Sequence, residues 1–344
     1  MAEERERPGL HLATMAALHD LQRPSAAIYW ADFLASALAG WTAFTFASMA
    51  STQQAAALAT GAATVLLYRA FLFIHELSHA ARHLRGFTTA WNVLAGYPLL
   101  VPACFAVGVH AAHHRPSTYG TAADPEYLPF GRSRTLIVRF LVLNLAFPWL
   151  MALRFIVAGP LALLVPPLQR KLESEATSLA MNSAYRRDVD LSEHRTIVRQ
   201  QLGLLVLWIP VGVLLWRSVV PARALAVWAV VASGIALVNG IRTLAAHKYE
   251  GNGSVLDREA QWADSIDTPG AWWTTIWAPV GHRYHALHHY VPGLPYHNLG
   301  KAYRRLASRA QAGTALEHGT VRPSLWSSLV ELWASAGGSR SGRS

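Results

Sequence analysis

Two pairs of apolar stretches, each long enough to cross a lipid bilayer, constrain the fold of this chain more than any other feature. The first pair is Ile28–Ala50 and Ala55–Ile74, and the second pair is Gln201–Trp216 and Ala222–Gly240. A transmembrane helix needs about 20 mostly apolar residues. Because only a few residues connect the members of each pair, each pair is expected to form an antiparallel hairpin. The sequence therefore predicts an all-α, polytopic membrane protein with four transmembrane helices arranged as two hairpins.

The composition supports this class, since only 15% of the residues are charged, against about 25% in soluble domains. Two further apolar stretches, Phe87–Val109 and Thr135–Leu168, contain prolines. Such interrupted segments can be re-entrant or interfacial where protein satisfies the freed backbone groups. We expect that arrangement for both stretches, and six full spans are the alternative.

Basic residues indicate the orientation of the chain. The formal net charge is +10, but the sequence has no nucleic-acid-binding motif, so no nucleic-acid partner is expected. Lys and Arg are concentrated in Arg170–Gln200 and after Gly300, and such segments face the cytoplasm by the positive-inside rule. The N-terminal segment lacks the basic start and short apolar core of a signal peptide. We therefore expect a bacterial inner-membrane protein with both termini in the cytoplasm.

This orientation divides the chain into three parts. Residues 1–27 are expected to form a cytoplasmic N-terminal segment, residues 28–303 the membrane domain, and residues 304–344 a cytoplasmic tail. The chain ends in GGSRSGRS, a low-complexity segment that is typical of disorder.

Histidine is unusually frequent, with 16 residues, whereas Cys104 is the sole cysteine. Half of the histidines fall into three clusters, or boxes: HELSH at 75–79, HAAHH at 110–114 and HALHH at 285–289. Positions i, i+3 and i+4 share one face of a helix, so each box is expected to aim its imidazoles at one point. With four spans, His247 and all three boxes lie on the cytoplasmic face, in a helical cap.

The number of clustered imidazoles indicates more than one metal ion, since a zinc site takes about four ligands. Two ions with four or five ligands each fit the number, and imidazole suits iron, zinc, copper and nickel alike. The candidate ligands are His75, His79, His110, His113, His114, His247, His285, His288 and His289.

The remaining histidines are expected to have other roles. Those near the boxes are expected to support the ligands or to lie at the surface, with ligation as the alternative; they are His83, His282 and His297. Isolated histidines near a membrane interface are usually solvated or hydrogen-bonded, and we expect this of His11, His19, His194 and His318.

The three boxes, in this order and on this hairpin pattern, resemble those of the membrane fatty acid desaturase and hydroxylase superfamily, in which HxxxH, HxxHH and HxxHH boxes surround a di-iron centre. Similar flanking segments lie at Tyr119–Tyr127, Arg242–His247 and His285–Asn298. The resemblance runs from about Ile28 to about Tyr303. It implies that the nine histidines bind two iron ions.

The resemblance also implies a reaction. A reduced di-iron site activates O2, the co-substrate, and hydrogen is removed from an unactivated C–H bond of a fatty acyl chain in an apolar tunnel. Asn239 would reach the metal through a water molecule, although it lies eight residues before His247 instead of four. We predict desaturation, on its prevalence, with hydroxylation or oxidative decarboxylation to a terminal alkene as alternatives.

Acidic residues near the boxes have two open interpretations: they orient ligand imidazoles by hydrogen bonds, or they cap helices and solvate loops. They are Asp124, Glu126, Asp257, Glu259, Asp264 and Asp267. Tryptophans before the third box are expected at the membrane interface, with a lining of the substrate entrance as the alternative; they are Trp262, Trp272, Trp273 and Trp277.

The sequence contains no haem domain, ferredoxin motif or dinucleotide-binding glycine pattern. Electrons are therefore expected from a separate donor, of ferredoxin or cytochrome type, with its reductase, and an acidic carrier would suit the basic face. Membrane lipid surrounds the domain in this interpretation.

Two other classes of protein remain open. HELSH also matches the HExxH motif of zinc proteases, with Glu76 as general base. A metal-binding or transport protein would need no reaction at all.

Overall fold

The computed structural model describes residues 14–80, 83–309 and 320–338. Across these ranges the regular structure is helical, without any β-strand beyond isolated bridges, which confirms the all-α prediction. The α-helices are α1 (Ala26–Met49), α2 (Gln53–Phe71), α3 (Phe73–Ala80), α4 (Phe87–Trp91), α5 (His110–His113), α6 (Arg134–Ala152), α7 (Gly159–Leu164), α8 (Pro166–Glu175), α9 (Leu191–Trp216), α10 (Ala222–Leu244), α11 (Arg258–Asp264), α12 (Thr274–Trp277), α13 (His285–Tyr290), α14 (Tyr296–Arg309) and α15 (Leu325–Gly338). Short π-helical segments are Asn92–Gly96 and Leu153–Ala158, and 3-10 turns are His19–Leu21, Ala103–Phe105 and Phe130–Arg132.

Four continuous helical segments of the described chain are long and apolar enough to cross a membrane, which confirms the predicted class and number. They are Gln53–Ala80, Arg134–Leu164, Leu191–Trp216 and Ala222–Leu244. Three of them overlap predicted spans, whereas the fourth, Arg134–Leu164, covers most of a stretch that was expected to be re-entrant or interfacial. The first predicted span, Ile28–Ala50, forms α1 but is not among the four, because Asp32 and several Trp, Tyr, Ser and Thr residues lower its mean hydropathy.

The two proline-containing stretches fold differently from each other. Phe87–Val109 is broken into short helical turns, as expected, whereas helical structure continues through Pro148 from Arg134 to Leu164. Pro148 has no N–H, so the carbonyl of Asn144, four residues earlier, loses its usual donor in this turn. Here the hydroxyl of Ser233, on α10, donates to the Leu145 carbonyl oxygen over 3.2 Å. A neighbouring helix therefore stabilises the disrupted turn, and the proline does not end α6.

Helices α1, α2 and α10 pack side by side and determine where the histidines meet. A Cβ at Gly40 of α1 would lie 2.7 Å from the Leu67 side chain of α2, so only glycine permits this approach. Arg223, at the start of α10, donates a hydrogen bond of 2.6 Å to the carbonyl of Ala50, at the end of α1. Because α2 and α10 begin near the same point, their carboxyl ends lie at the same end of the bundle.

The last helix packs against the part of the fold that carries the histidines. Leu332 and Ala336 of α15 are buried in an apolar cluster that includes Tyr249. Residues 320–338, predicted as part of a cytoplasmic tail, thus contribute to the same packed unit. Of the segment predicted to be disordered, Gly337 and Gly338 end α15, and the rest lies outside the described residues, from Ser339 onward.

Candidate metal centre

Each histidine box lies on or beside a short helix near the carboxyl ends of α2 and α10. Helix α3 follows α2 directly and carries His75 and His79, and α5 carries the second box. The third box forms α13, whose first turn is positioned by Asp267, because its Oδ1 accepts the Leu287 N–H over 3.2 Å. His247 follows α10 directly. Four separate segments therefore converge at one end of the bundle.

All nine candidate ligands come together, in two groups that could each hold a metal ion. Within a group, one ligand atom from each residue lies within 4.8 Å of all the others. The rings of His114 and His289 stack with centroids 4.4 Å apart, so the groups adjoin. Group A contains His75, His79, His110, His114 and His288, and group B contains His113, His247, His285 and His289.

The expectation that each box aims at one point is wrong for the second and third boxes. In the second box the i and i+4 residues belong to group A and the i+3 residue to group B, and in the third box the assignment is reversed. Each residue advances about 100° around an α-helix, so i+4 lies about 40° to one side of i and i+3 about 60° to the other. A short helix between two sites can therefore contribute to both.

Ring nitrogens within each group are spaced as neighbouring ligands of one metal ion would be. In group A, Nε2 of His114 lies 2.9 Å from Nε2 of His110 and 3.1 Å from Nε2 of His288. In group B, Nε2 of His285 lies 2.8 Å from Nε2 of His247. Metal–imidazole bonds of about 2.1 Å place adjacent ligand nitrogens about 3.0 to 3.4 Å apart. The Nε2 atoms are therefore suitably spaced to surround an ion.

The state of the imidazoles also fits metal binding. The Nε2 atoms of His75 and His79 are buried and have no hydrogen-bond partner, and an unpaired buried polar atom costs about 1–3 kcal/mol. Because metals bind the neutral imidazole, a lowered pKa favours ligation. Burial and neighbouring positive charges lower the pKa of His114, His247, His285, His288 and His289.

Carboxylates orient two candidate ligands of the second box, which agrees with one of the two interpretations of these acids. Nδ1 of His110 lies 2.9 Å from Oε1 of Glu126, and Nδ1 of His113 lies 3.0 Å from Oδ1 of Asp124. Burial alone would raise the pKa of Glu126, but His110, with smaller contributions from His113 and Arg242, lowers it to about 2. Contacts through Nδ1 leave the Nε2 atoms of both rings directed at the groups.

His247 is oriented by hydroxyl groups, which the sequence pattern did not identify. Its Nδ1 lies 2.9 Å from the Tyr119 hydroxyl and 3.2 Å from Ser265 Oγ. Tyr119 donates in turn to Oδ2 of Asp264 over 2.8 Å, so this acid positions the histidine through the tyrosine. In the sequence, Tyr119 was marked only as the first residue of the segment after the second box that resembles the family. Nothing in the sequence marked Ser265.

Asp257 has a different role from the other acids. Its Oδ1 accepts the Ala260 N–H over 2.8 Å and caps the amino end of α11, and Glu259 lies in the first turn of that helix. For these two residues the helix-capping alternative agrees with the structure.

None of the other described histidines belongs to either group. His282 comes near, with its ring centroid 4.6 Å from that of His75, but its Nδ1 lies 2.9 Å from the Pro279 carbonyl oxygen. The rest lie elsewhere: His297 against Ser25, His194 against Glu173, and His19 and His83 at the surface. His11 and His318 fall outside the described residues.

The glutamate of the HELSH box does not take the position of a protease base. Oε2 of Glu76 accepts hydrogen bonds from the Tyr29 hydroxyl and from the Tyr296 N–H, and Oε1 lies 3.4 Å from Nδ1 of His75. A zinc-protease base must instead reach a water molecule on the metal. Glu76 connects α1, α3 and α14, and its geometry gives the protease interpretation no support.

A cavity of about 390 Å³ lies beside both groups. Histidines of both groups form part of its wall, and so does Asn239. A smaller cavity of about 50 Å³ shares Asn239 and reaches Ile235 and Ala232 of α10. Apolar side chains dominate the larger cavity, among them Phe71, Phe105, Phe140, Leu143, Phe147, Leu150 and Met151.

These features define a helical protein with a two-part histidine centre against an apolar cavity. The family model described as fatty acid desaturase matches residues 50–320, which is most of the chain. The chain therefore belongs to the fatty acid desaturase family, as the boxes indicated.

The chain is also similar to the ceramide hydroxylase of Caulobacter vibrioides (strain NA1000 / CB15N). The two are 38% identical over 341 residues, which cover 97% of this chain and 95% of the relative. No solved structure matches the chain.

Proposed function

We propose that this protein uses O2 to hydroxylate a ceramide-class lipid. The observation that carries the proposal is the similarity to a ceramide hydroxylase along almost the whole of both chains. The reaction inserts one oxygen atom of O2 into a C–H bond and reduces the other to water, so it consumes two electrons and two protons. A separate reduced carrier supplies the electrons.

We further propose that groups A and B each bind one iron ion, with the nine histidines as ligands. Zinc has no redox chemistry, whereas O2 reduction needs a metal that changes its oxidation state. Iron ions bound there would supply the oxidising chemistry for the C–H bond. The water-mediated contact of Asn239 rests on the family resemblance, because this residue lines the cavity and belongs to neither group.

The residues of this chain would position the substrate and exclude water. Aromatic and aliphatic side chains such as Phe71, Phe147 and Met151 form a wall that suits a hydrocarbon chain. Because the same wall includes His110 and His285, a bound chain would present a C–H bond to the histidine groups. The buried, apolar surroundings would also limit side reactions with water.

Desaturation is the second candidate, and membership in the fatty acid desaturase family favours it. Both reactions begin with removal of hydrogen from a C–H bond, and they differ in whether a second hydrogen is lost or oxygen is added. The prediction of desaturation rested on prevalence, whereas similarity over 97% of the chain now favours hydroxylation. No observation favours oxidative decarboxylation.

Product analysis tests this choice. Cells that express the protein and receive isotope-labelled ceramide are expected to accumulate a labelled ceramide with one additional oxygen atom, and mass spectrometry after growth under 18O2 should locate the heavy isotope in that product. The His113→Ala variant is the matched control and should form none. A labelled ceramide that has lost two hydrogens and gained no oxygen would refute hydroxylation and support desaturation.

We propose that the histidine end of the bundle faces the cytoplasm, with α1–α2 and α9–α10 as the two hairpins and with Arg134–Leu164 entering the membrane without a full crossing, so that the chain before and after it stays at the histidine end. The basic segment Arg170–Gln200 is attached to this end, because Arg187 donates to the carbonyl oxygens of Cys104 and Val107, just before the second box. Basic segments stay in the cytoplasm. Both termini and the metal centre of an inner-membrane protein would then share that side.

We also propose a docking surface for an acidic electron carrier, at a surface cavity of about 270 Å³ beside α14. None of the described residues that line it is acidic, and its basic side chains include Arg283, Lys301 and Arg304. Tyr296 lines the same cavity and donates its N–H to Glu76 over 3.3 Å. Since Glu76 also contacts His75, few residues separate this surface from group A.

Charge reversal tests the docking surface. The double variant Lys301→Glu/Arg304→Glu is expected to lower turnover supported by an acidic ferredoxin and its reductase at least about tenfold, because electrostatic attraction speeds association. Turnover with dithionite as reductant should not change. Arg170→Glu/Lys171→Glu, on exposed positions of α8, makes the same charge change as a control. An equal loss in both variants, or none in the first, would contradict this site.

A further inference from the structure

A polar patch interrupts the mainly apolar wall of the larger cavity. It consists of Asn144 on α6 and of Asn239 and Arg242 on α10, all of which line the cavity. Asn239 and Arg242 are three residues apart and so lie on one face of α10, and Nη2 of Arg242 donates to Oδ1 of Asn239 over 3.1 Å. The two helices approach closely here, since a Cβ at Gly240 would lie 2.9 Å from Cγ of Asn144.

Arg242 carries a positive charge that no carboxylate of the described residues neutralises by direct contact. Within the described ranges it forms no ion pair, and Glu126, a carboxylate of the same cavity, is bound to His110 instead. Its Nε atom is buried without a hydrogen-bond partner. A charged donor left unpaired in apolar surroundings is costly, and a bound acceptor would relieve this cost. The described polar groups that the guanidinium contacts directly are neutral, namely Asn239, Thr243 and Tyr68, and the Glu126 carboxylate acts on its charge only from a distance.

The patch lies between the histidine groups and the apolar far end of the cavity. Along the chain, Arg242 precedes the group B residue His247 by five positions. In the other direction along α10, Ile235 and Ala232 line the smaller cavity beyond Asn239. A lipid with its polar group at the patch would extend a hydrocarbon chain towards Ile235, and the bonds next to the polar group would lie beside the histidines.

We propose that Arg242, assisted by Asn239, binds an oxygen acceptor of the lipid, the amide carbonyl or a hydroxyl of a ceramide, and thereby selects the C–H bond that is oxidised. This inference rests on the proposed ceramide hydroxylation. The Nε–H of Arg242 donates to the lipid oxygen, and the Asn239 amide offers a second donor. The oxidised carbon therefore lies close to the polar group, at a position counted from that group and not from the methyl end.

Ligand binding without turnover is the first test. Iron-loaded protein is titrated under argon, without reductant, with the ceramide N-palmitoyl sphingosine or with hexadecane. Tryptophan fluorescence reports binding. Arg242→Met is expected to raise the Kd for ceramide roughly tenfold to a hundredfold, the effect of losing a hydrogen bond from a charged group, and to leave the Kd for hexadecane within about twofold. Arg139→Met, at an exposed position of α6, should change neither.

The position of oxidation is the second test. Ceramides with acyl chains of different lengths are expected to be oxidised at a constant distance from the amide by the wild type. Arg242→Met should raise KM more than it lowers kcat and should give a mixture of positions. Arg242→Lys keeps the charge but lacks the rigid fork of donors, so it should show the same changes to a smaller degree, with iron content unchanged as the check on folding.

The outcomes separate this inference from the proposed function. Ceramide binding and product position unchanged in both Arg242 variants would overturn the inference, even if the wild type hydroxylates ceramide. Equal weakening of ceramide and hexadecane binding would overturn it too, because Arg242 would then act through packing. A wild type that binds ceramide but never oxidises it would refute the proposed function, while the binding titration would still decide the role of Arg242.

Discussion

Replacement of His113 by alanine is expected to abolish turnover and to lower the iron content of the purified protein from about two ions per chain to about one. His113 belongs to the four-membered group B, so its loss leaves only three imidazoles there. It also removes one of the hydrogen-bond partners of the buried Asp124 carboxylate, the one at 3.0 Å from its Oδ2. Elemental analysis and product formation, measured on the same preparation, check both expectations.

A variant of group A sharpens this prediction. His288→Ala removes one of five members, so four imidazoles remain, and we expect a smaller loss of iron than for His113→Ala together with loss of turnover. His194→Ala is the control, because His194 pairs with Glu173 over 2.7 Å and belongs to neither group. Retention of both irons and full activity by His113→Ala would show that the ligand assignment is wrong.

The set of clustered histidines could be predicted from the sequence, whereas their division between two groups could not. Spacing within a box determines which side chains lie near each other on one helix. It does not determine how that helix is rotated relative to its neighbours. In α13, His285 and His289 join group B and His288 joins group A, and that result depends on how α13 packs against α3 and α5.

The contacts that orient the candidate ligands could likewise be predicted from the sequence only in part. Asp124 and Glu126 lie close in sequence to the second box, so their role was accessible from local pattern. Ser265 contacts His247 over 3.2 Å although 18 residues separate them along the chain. A serine in such a position is not distinguishable from any other loop serine until the chain has folded, since only tertiary packing brings the pair together.

The membrane helices, too, could be predicted from the sequence only in part. Hydropathy identifies a segment that can enter a bilayer, but whether a proline ends that segment depends on its neighbours. Thr135–Leu168 was expected to be interrupted, and Ser233 of α10 instead provides a donor for the turn that Pro148 disturbs. The reaction outcome is harder still to predict from sequence. Hydroxylation and desaturation differ in how a bound chain lies in the cavity, and this depends on the shape of the cavity.

The second prediction with a large effect concerns Asp124, which is completely buried. Its carboxylate accepts hydrogen bonds from Nδ1 of His113 and from the backbone N–H groups of Gly120 and Glu126, at 2.8 to 3.0 Å. Asp124→Asn replaces one acceptor oxygen with a donor at almost constant volume. We expect roughly tenfold to hundredfold weaker metal binding at group B, the usual effect of losing a residue that orients a ligand, and turnover reduced at least as much.

Asp257→Asn is the matched control, since it makes the same chemical change in another of the acids considered for this role. Asp257 is exposed and caps α11, and asparagine caps helices about as well as aspartate, so iron content and turnover should not change. Iron retained during dialysis against a chelator compares the two variants directly. Equal retention would mean that Asp124 does not orient His113. Faster loss of iron from Asp124→Asn alone would show that Asp124 supports a metal ligand, whereas Asp257 only caps a helix. Composition and position along the chain do not distinguish these two roles.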